Sequence, residues 1–186
     1  MGRPREFDPA LAVEQALQAF WESGLAATSV DQLQQATGLS RSSMYQGVGN
    51  RDEWLRLAVD RYVERLTAEF EQLFRDCGAD QAVQRLLLDA ADDNFAGKGC
   101  LLANGIAQLH ADDSSNLDIV RQGFARLADT LTGLLRPGMP SERDARARCV
   151  ELLCALSGLR TLQRAGVPRK SLVAAAHRLA GLLNAR

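Results

Sequence analysis

The sequence predicts an all-α fold, and three observations carry that prediction. Apolar residues recur at three- and four-residue spacing through most of the chain. Ser, Asp and Asn stand where those periodic segments begin, as helix caps do. β-Branched residues are few, and no alternating run is bounded by turn formers. The order of the segments adds an architecture: an N-terminal three-helix head holding a helix-turn-helix, followed by a helical bundle. With 186 residues, 46% of them hydrophobic, the chain fits one or two domains with ample core.

The elements follow in order. Asp8-Pro9 is an N-cap followed by proline at the first helical position. Val13, Ala16, Leu17, Phe20 and Trp21 then form an apolar stripe that Gly24 closes. A second helix opens at Ser29, with Gln32 completing a capping box and Val30, Leu33 and Ala36 forming its inward face. Gly38 suits the left-handed residue that ends a helix, and Leu39 can turn inward behind it. Ser40 caps a third helix, Arg41 to about Gly47, in which Met44 and Val48 can face the core. Arg41, Ser42, Ser43, Tyr45 and Gln46 are left to solvent. Short, donor-rich side chains on an exposed second helix of such a pair are what a DNA major groove accepts. A helical corner with a polar face is the other reading of the same stretch.

Asn50 and Glu53 form another cap-like pairing, and a long helix follows through Trp54, Leu55, Ala58, Tyr62, Leu66, Phe70 and Leu73. Asp80 can cap a helix carrying Val83, Leu86, Leu87 and Ala90. Gly97-Lys98-Gly99 interrupts before a segment from Cys100 to about His110. Asp112 to Ser115 are turn formers ahead of a helix with Leu117, Val120, Phe124, Leu127, Leu131 and Leu134. Pro137-Gly138-Met139-Pro140 is the clearest break, Ser141 and Asp144 begin a helix through Arg164, and Pro168 begins the last.

The segment from Arg3 to about Tyr62 resembles the DNA-binding head of TetR-family transcriptional regulators. The residues that carry the resemblance are Ala16, Phe20 and Gly24 in the first helix, Thr28 and Ser29 opening the second, and Gly38, Leu39, Ser40, Met44 and Tyr45 through the third. The match covers about a third of the chain and is specific in order and spacing. Val48 stands where the family usually has Phe, and Asn50-Arg51 where it has Ser-Lys or Asp-Lys. The resemblance implies a division into a DNA-binding domain, 1–50, and a helical ligand-binding and dimerisation domain, 51–186. It implies phosphate contacts by Thr28, Ser29, Tyr45 and Arg51, base-edge contacts by Arg41, Ser42, Ser43 and Gln46, and a flexible arm carrying Arg3 and Arg5. Each of these serines is equally a capping or solvated hydroxyl.

The last two helices carry apolar stripes that could pack wholly within one chain. The resemblance implies instead a four-helix interface between two copies, with Leu153, Leu156, Leu172, Ala176, Leu179 and Leu183 on it. Such a homodimer presents two recognition helices about 34–36 Å apart, or a little more, and demands a near-palindromic double-stranded operator. It further implies repression relieved by a small-molecule inducer, which must bind the two states unequally. Phe70, Phe74, Phe95 and Phe124 read as core more readily than as ligand box, though any of them could line a cavity.

Charge bounds these readings. The net charge of −1 gives no preference for membranes or polyanions. Through Arg51 the basic residues are Arg3, Arg5, Arg41 and Arg51, against Glu6, Asp8, Glu14, Glu22 and Asp31, so the head is not basic. Few released counterions and a shallow salt dependence are expected. There is no bilayer-spanning apolar run and no signal-peptide core, and cytoplasmic residence is the default expectation.

Cys77, Cys100, Cys149 and Cys154 form no CxxC pair, and His110 and His177 are isolated, so neither a metal nor a cofactor is expected. Cys100 stands out. A place in the first turn of a helix beside Lys98 would lower its thiol pKa, and the run Gly99 to Asn104 resembles a TetR subgroup that includes regulators responding to electrophiles or oxidants. A buried cysteine is otherwise an inert small hydrophobe. An enzyme is not indicated, because Asp92, Asp93, His110, Asp112 and Asp113 share no catalytic spacing. A helical ligand carrier or interaction module without DNA binding is the alternative class.

Overall fold

The computed structural model describes residues 7–92, 97–110 and 112–184, and among these the chain forms helices and no strand. They are α1 (Pro9–Ser23), α2 (Val30–Thr37), α3 (Arg41–Gly47), α4 (Arg51–Ala91), α5 (Leu101–Gln108), α6 (Ser114–Leu135), α7 (Glu142–Arg164) and α8 (Arg169–Asn184). A short 3-10 turn, Arg136–Gly138, precedes α7 at the proline break.

Local chemistry sets most of the boundaries. The Asp8 carboxylate accepts from the N–H groups of Ala10 (2.9 Å) and Leu11 (3.3 Å), satisfying donors that the first turn of α1 leaves open. Ser141 caps α7 by accepting from Asp144 N–H. The 51–91 run is two rods in sequence, because Gly78 takes φ 75° and ψ 169°, a left-handed, extended conformation that breaks the ladder. The Asp80 expected as a helix cap lies just beyond that break. Its carboxylate instead accepts from Arg148 Nη2 at 3.1 Å.

The chain divides into two compact units: Met1–Tyr62 with Asn104–Gly123, and Val63–Ala103 with Phe124–Arg186. This differs from the expected division after residue 50. The first turns of α4 supply Trp54, Leu55, Ala58 and Tyr62, all fully buried, to the core of the first unit alongside Leu17, Phe20 and Leu33. Trp21 and Tyr62 meet edge to face with centroids 5.1 Å apart. A boundary at 50 would strip the three short helices of the apolar surface they pack on.

In the second unit α4, α7 and α8 are tied at two places. Arg148 is almost wholly buried and donates to Asp80 (3.1 Å) and to the Asn184 side-chain oxygen (2.7 Å). Arg169 forms a two-pronged pair with the Asp92 carboxylate, and Gln163 Nε2 donates to the Asp92 carbonyl at 3.1 Å. Phe70 and Phe74 are buried and Phe124 partly so, while Phe95 lies outside the described residues. No helix among the described residues is long and apolar enough to cross a membrane.

Candidate nucleic-acid interface

Helices α2 and α3 are each held by a cap at their start. Gln32 N–H donates to Ser29 Oγ (3.2 Å) and Ser29 N–H donates to Gln32 Oε1 (2.7 Å), a reciprocal box. Gly38 ends α2 at φ 67° and ψ 8°, its N–H donating to the Gln34 carbonyl at 2.9 Å. Ser40 Oγ accepts from Ser43 N–H at 3.1 Å and shares a 2.9 Å hydrogen bond with Ser43 Oγ. Leu33 and Met44 are the buried anchors of the pair. Val48 is partly buried, and the ring of Phe7 lies so close to Gly47 that a Cβ there would come within 2.7 Å of it.

The outward face of α3 presents Arg41, Ser42, Tyr45 and Gln46, with Tyr45 50% exposed. Ser43 is half-buried in the cap. Ser29 is exposed while serving its box. Arg41 Nη2 lies 3.4 Å from Asp31 Oδ1, an ion pair open to solvent on both sides. Arg3 and Arg5 lie outside the described residues.

Two expected phosphate contacts are turned inward. Thr28 is 1% exposed, and its hydroxyl donates to the Gly24 carbonyl at 2.7 Å. A hydroxyl committed to a buried backbone acceptor has no donor to offer a phosphate. Arg51 donates through Nε to the Thr28 carbonyl (2.7 Å) and through Nη2 to the Leu25 carbonyl, with its guanidinium 5.5 Å from the Phe20 ring centroid. Its charge is therefore used to satisfy the carbonyls of the α1–α2 turn. With Arg51 turned inward, the outward side chains of the head carry still less positive charge than the sequence count suggests.

The remaining candidates divide similarly. Cys100 is buried and immediately precedes α5, so it stands outside the first turn and its thiol is withdrawn from solvent. Burial pushes the Cys149 thiol pKa up, with Asp129 adding to the effect and Thr132 and Arg146 opposing it. Leu156, Leu172 and Ala176 are buried inside the second unit, leaving only Leu153, Leu179 and Leu183 of the expected interface partly exposed. Outward apolar residues of α7 and α8 include Val150 (60% exposed) and Leu182 (73%), which with Cys154, Ala155, Leu179 and Leu183 line a groove of about 480 Å³. Leu179 and Leu183 are among the residues expected there, whereas Val150, Cys154 and Ala155 escape the sequence reading because α7 carries two stripes. Its inner one, Cys149, Leu152, Leu156 and Leu159, masked the adjacent one through Val150 and Cys154. Among the described residues no three His, Cys, Asp or Glu side chains could hold a metal ion.

No protein-family model matches the chain. It is similar to two Escherichia coli (strain K12) proteins. They are the HTH-type transcriptional repressor ComR, 29% identical over 92% of this chain and 87% of the relative, and the HTH-type transcriptional repressor BdcR, 26% identical over 94% and 88%. Both relatives bear the names of transcription repressors rather than enzymes. Among solved structures, a cysteine mutant of the TetR-family regulator CifR bound to 26-bp operator DNA matches with a TM-score of 0.78. It is 21% identical, and the match covers 96% of this chain and 98% of that one. A TetR-family regulator from Cytophaga hutchinsonii matches at 0.76, with 18% identity and 96% of each chain covered.

Proposed function

We propose that the chain, whose fold and head motif resemble those of TetR-family transcriptional regulators, represses transcription as a homodimer on a near-palindromic operator. The observation that carries this reading is the exposed polar face of α3. Arg41, Ser42, Tyr45 and Gln46 project from a seven-residue helix whose caps and buried Met44 fix its orientation. In the proposal Arg41, Ser42 and Gln46 address base edges in the major groove, with Arg41 suited to a guanine. The Tyr45 hydroxyl and the N–H groups at the start of α2, next to Ser29, hold phosphates. Thr28 and Arg51 act one step behind, by fixing the turn from which α2 starts.

Dimerisation is supported by the outward apolar residues Val150, Leu179 and Leu182, which lie side by side on α7 and α8. A two-fold pairing over that groove would bury them and give the complex two α3 helices, as a near-palindromic duplex requires. Release by a small molecule acting on the second unit completes the proposal, and Cys100 could serve it only after an opening that exposes the thiol.

Fluorescence anisotropy with duplexes from the region upstream of the protein's own gene tests the reading. Saturable binding that Tyr45→Ala and Gln46→Ala each weaken, in a chain that stays folded, is expected. A helical carrier or interaction module without DNA function would bind no duplex and be indifferent to both substitutions.

A further inference from the structure

The last turn of α5 is built to grip the α1–α2 turn. Gln108 Oε1 accepts from the Leu25 N–H at 2.8 Å. The fit is tight: a Cβ on Gly24 would stand 3.0 Å from that same oxygen. One turn earlier on the same face, Gly105 leaves room for the Leu25 side chain, and a Cβ there would lie 2.6 Å from Leu25 Cδ2. Gly105 and Gln108 are spaced i, i+3, so both meet the same residue from one helix face. Leu25 is 1% exposed, so its N–H has little access to water as a substitute partner.

The same turn is held from the other side. Arg51, the first residue of α4, donates to the Leu25 and Thr28 carbonyls, and the Thr28 hydroxyl donates back to the Gly24 carbonyl. Ser29, the next residue, caps α2. The Leu25 N–H is thus claimed by α5 and the Leu25 and Thr28 carbonyls by α4, and α2 begins where that clasp ends. No local sequence signal marks Gln108, because its partner is 83 residues away.

We propose that Gln108, with Gly105, is a positioning residue for DNA binding: by fixing Leu25 it sets the start of α2 against the phosphate backbone. The inference rests on the DNA-binding reading above. It makes the hydrogen-bond acceptor at position 108, rather than its bulk, the required property. Glutamate retains an acceptor there, while methionine keeps similar length and offers only a weak one.

Operator affinity and hydrogen exchange of the Leu25 amide, measured on wild type, Gln108→Met and Gln108→Glu at a temperature where circular dichroism shows all three folded, form the test. Expected is a slow Leu25 amide in wild type and Gln108→Glu and a fast one in Gln108→Met. Operator affinity should be about ten-fold weaker for Gln108→Met, as a buried donor left unpaired would give, and within about three-fold of wild type for Gln108→Glu. Should Gln108→Met lose the protection yet bind the operator like wild type, or should both variants lose affinity alike, the positioning role is overturned. Wild-type protein that binds no duplex overturns the DNA-binding reading first, and that outcome is told apart because Leu25 protection still reports the clasp.

Discussion

Replacing Arg51 by methionine separates a residue that touches phosphate from one that builds the surface touching it. The guanidinium donates to the Thr28 carbonyl at 2.7 Å and to the Leu25 carbonyl, and lies 5.5 Å from the Phe20 ring centroid. Hydrogen bonds from a charged group contribute about 1.5–3 kcal/mol each, and a cation over an aromatic face about 0.5–1 kcal/mol. The side chain is 21% exposed, so water can replace part of what is lost, and the terms are not additive. A net destabilisation of about 2–4 kcal/mol follows, which for a chain of this size corresponds to a Tm lowered by about 5–12 °C. Calorimetry without DNA is the assay, with the salt dependence of duplex binding as its companion. An unchanged Tm together with a salt slope shallower by about one would refute the structural role and restore Arg51 as a phosphate contact.

Asp31→Asn removes the carboxylate beside Arg41 on an exposed face, where such pairs contribute about 0.2–1 kcal/mol. Affinity for random-sequence duplex should rise by up to about five-fold with a steeper salt slope, and unchanged non-specific binding would show that Asp31 does not restrain Arg41. Leu182→Glu, on the outward face, should yield folded monomers by light scattering, whereas Leu172→Ala, buried within the unit, should cost about 2–5 kcal/mol of stability. A dimeric Leu182→Glu protein would move the interface elsewhere. The raised pKa of Cys149 favours its neutral form in the fold, so its contribution to stability is complete below the ordinary thiol pKa and declines as pH rises through the elevated value. The stability difference between wild type and Cys149→Ala, measured by urea unfolding, should therefore shrink as pH is raised past the ordinary thiol range. A pH-independent difference would contradict the burial argument.

What the sequence reveals here is what acts over a few residues. Ser29 and Gln32, Ser40, Asn50 and Glu53 are within three positions of the groups they cap, so their spacing is enough to place α2, α3 and the start of α4. The polar face of α3 is legible for the same reason, since Met44 fixes which side is inward. Arg51 is the instructive failure. Its motif position and charge suggest a phosphate contact, but its direction is decided by carbonyls 23 and 26 residues away. Gln108 fails to register at all for the same cause. On α7 and α8, periodicity finds apolar stripes without saying which faces the unit's own core, so Leu172 and Ala176 read as outward although both are buried, while Val150 and Leu182 are exposed. The break at Gly78 falls in the gap between the helix read through Leu73 and the one read from Asp80, so it too is legible.

Selection of bound duplexes from a random-sequence library tests the central claim most directly, since it examines DNA binding, symmetry and half-site spacing together. An enriched near-palindrome with half-sites about one helical turn apart or slightly more is expected. Gln46→Ala should shift the preferred bases within each half-site while leaving the spacing intact. A library from which no motif emerges, or a motif that Gln46→Ala and Arg41→Ala leave unaltered, would contradict the assignment of α3 as the reading helix.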